Sequence, residues 1–431
     1  MDTKKLNSGL TNFYLFILGQ FVSQFGSRLT GLGLILWSYK QNGSVLSLSL
    51  LSVAYLLPEV FLSFISGSVS DRWNKKKLLL FSDLASALFS FAVLLMLITD
   101  TLRIPYLYLV QFMMGVMDSF QNPASEVAVS MLVSKEDYIK TSGVRTFFYS
   151  FTGVFAPVAA TSLFAFCGIE VIIMIDLGTF LFAFITLAAW VKLPHRVPSD
   201  DKKEKLSQQC IFGIRYLINK KDVFSLILFM GFVNLIAAVY NTNMAPMVLS
   251  RNGNDDVQLG IVSSTISLAG LAGSVLVTRV KWKKKRATLI LNIMTYSFLV
   301  CNGLLGLGRN YYVWIFAVFA GNLLIPVLTA NVEYIMRTKV PLEVQGRVFA
   351  ARNTLQYASI PVGNLIAGVL ADKVFVPFMS KPSSFQGFWQ AIVGDGKGGG
   401  LALMYLVIAL VGAGGCFVFR RNRHMMSLNE E

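Results

Sequence analysis

Apolar runs separated by short polar gaps repeat along the chain from residue 12 to residue 420. Crossing a bilayer as a helix takes ~20 predominantly apolar residues, and about twelve windows reach that length. They are 12–38, 46–69, 78–99, 104–123, 142–166, 169–191, 223–248, 257–279, 287–307, 311–333, 347–373 and 399–420. The first window holds Gln20, Gln24 and Arg28, has no small-residue cleavage site and exceeds a signal-peptide core in length, so it is expected to stay in the mature protein. The pattern predicts an all-α membrane protein with twelve transmembrane helices.

The longest polar gap, Lys192 to Asp222, divides the windows six and six. This predicts an N-terminal bundle over 1–191, a cytoplasmic linker over 192–222 and a C-terminal bundle over 223–431. In the second part of the linker, "CIFGIRYLINKKDVF", Ile211, Ile214 or Arg215, and Ile218 share one helical face, with Lys220 and Lys221 close by. A helix lying on the cytoplasmic interface is expected there, acting as a tether. The halves also resemble each other. "Lys75-Lys76-Lys77" follows the second window as "Lys283-Lys284-Lys285-Arg286" follows the eighth, and Pro157 in "GVRTFFYSFTGVFAPVAA" aligns with Pro361 in "GRVFAARNTLQYASIPVGNL". A duplicated, pseudo-symmetric pair of six-helix bundles is how secondary transporters build a substrate site near the bilayer midplane.

Composition agrees: 55% of the 431 residues are hydrophobic and 14% charged. The net charge of +15 is not laid on an amphipathic face with interleaved aromatics, so nucleic acid is not an expected partner. The bases lie in alternate gaps. The opposite gaps hold only Lys40, Arg103, Arg251, Arg309, Lys373, Lys381 and Lys397, and the positive-inside rule then places both termini in the cytoplasm. Cys167, Cys210, Cys301 and Cys416 show no paired or metal-ligand spacing and read as reduced; no metal and no cofactor are expected. "GDGKGGG" (394–400) lacks the phosphate-loop spacing, and His195 and His424 lie in polar cytoplasmic stretches, so no nucleotide site and no catalytic residues are expected.

The gap "GSVSDRWNKKKLL" carries more than charge. Gly67, Asp71, Arg72, Lys76 and Leu79 match the loop 2–3 signature G-x-L-a-D-r-x-G-r-k-x-x-l of the major facilitator superfamily, with conservative changes at Val69 and Lys75 and Asn74 in place of a glycine. "LWSYKQNGSVLSLSLLSVAYLLPEVFLSFISGSVSDRWNKKK", "QNPASEVAVSMLVSKEDY" and "VPLEVQGRVFAARNTL" resemble the macrolide-efflux branch of its bacterial exporters. The resemblance implies a bacterial plasma membrane location and a gating role for this loop. Asp71 would face the N-terminus of the eleventh span, and Lys75 or Arg72 would pair with Glu126. The plainer alternative is a loop that only sets topology.

An ionisable residue inside a span is a functional hypothesis by default. Arg28, Glu59, Asp118 and Asp176 fall in spans, and Glu333 near a span's inner end. Glu59 is the first choice for proton coupling, since a carboxylate in a low-dielectric cavity can exchange a proton at physiological pH. Arg28 is its expected coupling partner, with a static Arg28–Glu59 ion pair as the structural alternative. Asp176 and Asp118 are further candidates. Two departures from proton-coupled exporters stand out. Gln111 occupies the position of the span-four arginine although Leu107 and Gly115 fit, and "TGVFAPVAA" keeps Pro157 but loses most glycines of the span-five pattern. Inner faces of spans one, four, seven and ten should line the cavity, with Gln20, Gln24, Gln111, Asn234, Tyr240, Asn241, Asn243 and Asn322 as candidates. Pro246 in "VYNTNMAP" suggests a broken outer end of span seven.

These readings converge on a monomeric secondary exporter of a bulky, partly apolar small molecule, driven by protons. The alternatives are a lipid or lysolipid translocator of the same fold, and a non-transporting membrane sensor.

Overall fold

The computed structural model describes residues 3–133, 138–193, 206–279, 285–341, 344–380 and 384–429. Those residues are helical with no strand. The first part holds α1 (Thr3–Asn42), α2 (Val45–Arg72), α3 (Lys75–Ile98), α4 (Ile104–Leu132) and α5 (Tyr138–Ile185), the last continued by a π-helical turn, Thr186–Trp190. α6 (Leu206–Asn219) follows. Then come α7 (Lys221–Arg251), α8 (Asp256–Arg279), α9 (Arg286–Ser297), a π turn Phe298–Asn302, α10 (Gly303–Leu307), α11 (Tyr311–Asn322) and α12 (Ile325–Lys339). The chain ends with α13 (Gln345–Tyr357), α14 (Ser359–Val369), a π turn Leu370–Phe375, α15 (Val376–Ser380), α16 (Ser384–Val393), α17 (Gly396–Arg421) and α18 (Arg423–Met426).

Among the described residues, eight helical stretches are long and apolar enough to cross a membrane. In the long stretch Phe147–Trp190 the helix is interrupted at Gly168, whose φ of 83° only glycine adopts without strain. That break falls in the gap between the fifth and sixth hydropathy windows. The expected break at Pro246 does not occur, and α7 runs through to Arg251. Breaks do appear at Leu323–Leu324, ahead of Pro326, and at Ala358.

Backbone packing divides the chain into two compact units, Met1–Gln41 with Leu51–Lys203, and Asn42–Leu50 with Glu204–Glu431. In the first, Phe13, Phe16 and Ile17 of α1 pack with Leu78 and Leu79 of α3, Ala124 and Ala128 of α4, and Leu187 beyond α5. Small residues on α4 let it lie close to its neighbours. In the second, α7 is central and packs against α14, α17 and α13. α6 packs on α13 and α7 through a face that buries Gly213 and Leu217, leaving Phe212 and Ile218 exposed.

Candidate functional site

In the first unit, α2 and α4 touch backbone to backbone. A Cβ on Gly115 would stand 2.0 Å from the Tyr55 carbonyl oxygen, so only glycine fits. One turn further along α4, Asp118 meets the other end of the same residue: the Tyr55 hydroxyl donates to Asp118 Oδ2. Tyr55 and Glu59 are four residues apart and share a face of α2. Between them lies Pro58, which deprives the Ala54 carbonyl of its helical donor. Tyr55 sits in the electrostatic reach of Glu59 and of Arg28, and Glu59 in that of Asp118. The structure therefore gathers Arg28, Glu59 and Asp118 around a tyrosine that composition did not single out. Its signal was the four-residue spacing from Glu59. Arg28 is exposed, and it forms no ion pair with Glu59.

Asp176 lies apart from this group. It is 1% exposed and is met by Ser27 Oγ of α1 and Ser90 Oγ of α3, each at 3.4 Å. Gly26 lets α1 approach, since a Cβ there would fall 2.9 Å from Asp176 Oδ1. A second buried acid escaped the sequence reading. Asp83 of α3, also 1% exposed, accepts from Gln121 Nε2 of α4 at 2.6 Å. Its position, well inside the third hydropathy window, was the available signal.

Gln20 is buried and Gln24 exposed on α1, while Gln111 is partly buried one turn before Gly115. Beside them runs an aromatic ladder: Phe21 of α1 stacks on Phe148 of α5 at 4.4 Å, and Phe151 lies 4.3 Å from Phe155. Phe155 remains half exposed, at 52%.

Of the loop signature, the side chains of residues 63–72, including Asp71 and Arg72, and that of Glu126 lie outside the described set, as does Gly67. Asn74 has φ −64° and caps α3, its side chain accepting from the Lys77 amide. It uses an extended N-cap conformation in place of the left-handed turn a glycine would favour. Lys75 is partly buried, and Lys76 donates to the carbonyls of Ala188 and Val191 at 2.9 and 2.8 Å. It thereby ties α3 to the end of the helix that follows Gly168.

The polar residues of α7 serve joints inside the second unit. Asn234 Nδ2 donates to the Gln356 carbonyl at 3.2 Å, beside the break at Ala358. Tyr240 is buried and its carbonyl accepts from Tyr405; Asn243, 1% exposed, donates to Val239 on its own helix. Asn322 bonds Val318 at the end of α11, and Asn241 is exposed. Glu333 is held by Arg352 at 2.8 Å.

Residues 16–364 match the model of the Major Facilitator Superfamily, more than half of the chain. The chain belongs to the Major Facilitator Superfamily. It is 24% identical over 379 residues to macrolide efflux protein A of Streptococcus pyogenes, covering 86% of this chain and 92% of that one. The multidrug efflux pump Tap of Mycolicibacterium fortuitum is 22% identical, covering 77% and 82%. Among solved structures, the nucleoside transporter NupG superposes with a TM-score of 0.72 at 12% identity, over 97% of this chain and 100% of that one. A bacterial homologue of the iron transporter ferroportin, in an inward-facing state, gives 0.67 at 13% identity over 96% and 99%. These likenesses establish an all-helical, multi-pass membrane transporter fold.

Proposed function

We propose that this superfamily member exports a bulky, partly apolar compound in exchange for protons. The observation that carries the reading is the Tyr55–Asp118 hydrogen bond in the membrane interior, with Glu59 and Arg28 in electrostatic reach. Ionisable groups at that depth are costly to keep unless they act. Asp118 and Glu59 take up and release the proton, Tyr55 is the hydrogen-bond donor that holds Asp118, and Arg28 supplies the positive charge absent at Gln111. The Phe21–Phe148 and Phe151–Phe155 ladder offers the apolar surface that a large ligand needs. The efflux activities named for the two relatives are consistent with this cargo class.

Twelve spans, in bundles over 1–191 and 223–431 joined by the linker 192–222, move the cargo by alternating access. Both termini face the cytoplasm of a bacterial cell, and the monomer is the working unit.

The test uses inverted membrane vesicles with an acidified lumen and a panel of macrolides and other lipophilic compounds, with luminal pH followed by a fluorescent probe. Compound-dependent proton release, abolished by Glu59→Gln and by Asp118→Asn, is expected. Silence for every compound, with normal protein levels, would overturn antiport.

A further inference from the structure

We infer that Asp83 is a second proton-carrying carboxylate, linked to Asp118 through the α4 turn that ends at Gln121. The inference rests on the proton-antiport reading above. Asp118 and Gln121 are three residues apart and share a face of α4. The first is bonded from α2 by Tyr55, and the second reaches Asp83 on α3 at 2.6 Å. Asp118 also acts on Asp83 electrostatically. One helical turn of α4 thus joins the partly buried Asp118 to the buried Asp83 on α3.

The bonding of Asp83 is one-sided. Oδ1 accepts from Gln121, whereas Oδ2 is buried with no hydrogen-bond partner among the described residues. An ionised carboxylate in that position would leave a charged oxygen unpartnered in the bundle interior, which is far costlier than burying the neutral acid. The packing therefore accommodates Asp83 with its proton on. Among the described residues no cation is bonded or ion-paired to it. On α3 itself, Lys76 is committed to Ala188 and Val191. On α5, which also packs against α3, the acid met from α3 is Asp176, through Ser90. Loss of the proton would set Asp83 against Asp118, and the pair is relieved when one of them is neutral. The step is a proton transfer alone: the O–H bond at Asp83 breaks as a new one forms on water or on Asp118.

A structural pin predicts something different. Asn at this position still accepts from Gln121 and keeps α3 on α4, but it carries no ionisable proton. The experiment compares wild type with Asp83→Asn and Asp83→Ala in the full-length, reconstituted protein. Infrared spectra at pH ~5, where an unperturbed aspartate is ionised, should show a protonated-carboxyl band that Asp83→Asn lacks. Superimposable spectra would mean an ionised Asp83 and overturn the inference. With erythromycin as the transported probe, Asp83→Asn should lose proton release while keeping erythromycin counterflow in the absence of a pH gradient. Wild-type release from Asp83→Asn would make the residue a pin and overturn its proton role, leaving antiport through Asp118 and Glu59 intact. Absence of release from wild type with erythromycin and with every compound of the panel would overturn antiport itself, and the carrier role of Asp83 with it.

Discussion

The hydroxyl of Ser44 donates to Asp372 Oδ2 at 2.6 Å, joining residues 328 positions apart. The same carboxylate accepts from the amides of Leu46 at 2.9 Å and Val45 at 3.3 Å, so it caps the start of α2 from the π turn beyond α14. Lys397 closes the clasp by donating to the Gly43 carbonyl. Gly368 permits the close fit, since a Cβ there would lie 2.6 Å from Leu46 Cα. A carboxylate at a helix N-terminus answers amides that otherwise lack partners. Asp372→Ala should therefore cost ~1 kcal/mol of local stability, the usual worth of such a cap. Hydrogen exchange across residues 42–50 should quicken several-fold, with Asp372→Asn between the variant and wild type. Unchanged exchange would show that the clasp contributes nothing to holding the segment.

Gly115 makes a second case in which one missing Cβ decides a site. With 2.0 Å between the added carbon and the Tyr55 carbonyl oxygen, Gly115→Ala must push α2 and α4 apart. Overpacking of this kind costs ~1–3 kcal/mol. Because Asp118 is one turn away, its bond to Tyr55 should lengthen as well. Thermal melting in detergent should show a lower Tm, and the proton-release assay a loss of coupling. Gly178→Ala is the control, since nothing lies within 4 Å of its added Cβ, and it should melt like wild type.

The contrast between these residues and their neighbours shows what hydropathy can reveal. Long apolar helices follow from apolar length, and the helix interruption at Gly168 falls between two of the hydropathy windows. Glu59, Asp118 and Asp176 were legible because charge inside a span is conspicuous. Partnership was not. Tyr55 and Asp118 are 63 residues apart and Asp83 and Gln121 are 38 apart, so each bond depends on which helix faces lie together. Pro246 misled for a related reason: a proline removes one helical hydrogen bond, and whether the helix breaks depends on its packing. α7 is flanked by α14 and α17 and stays whole.

Arg251 at the end of α7 offers a test of helix-end chemistry. One nitrogen donates to the Val393 carbonyl at 3.0 Å, and the other approaches the carbonyls of Leu305 and Gly306 at 3.5 and 3.4 Å. Arg309 serves the neighbouring carbonyls of α16 at Ala391 and Ile392. Two cations thus sit at the negative end of α16, which closes on Gly394 at φ 86°. Arg251 is partly buried and Arg309 more exposed. Arg251→Ala should accordingly cost more, ~1.5–3 kcal/mol for a lost charged hydrogen bond. Hydrogen exchange over residues 384–393 should rise more in Arg251→Ala than in Arg309→Ala. Equal effects would mean that charge alone, irrespective of bonding, holds this helix end.

Lys76 tests whether the loop between α2 and α3 does more than set topology. A topogenic loop counts charges, so Lys76→Met and Lys77→Met should then be equivalent. The bonding says otherwise. Lys76 Nζ reaches the carbonyls of Ala188 and Val191, at a helix end where C-terminal carbonyls have no helical donors, whereas the Lys77 side chain is exposed. Lys76→Met should lower the Tm by removing ~1.5–3 kcal/mol of charged hydrogen bonding, with Lys76→Arg recovering part of it. Lys77→Met should leave the Tm unchanged. Both variants should keep their orientation in the membrane, because enough lysine and arginine remain on that side, and a reporter fused to the C-terminus reads this directly. Equal melting of the two variants would reduce Lys76 to one more positive charge in the loop.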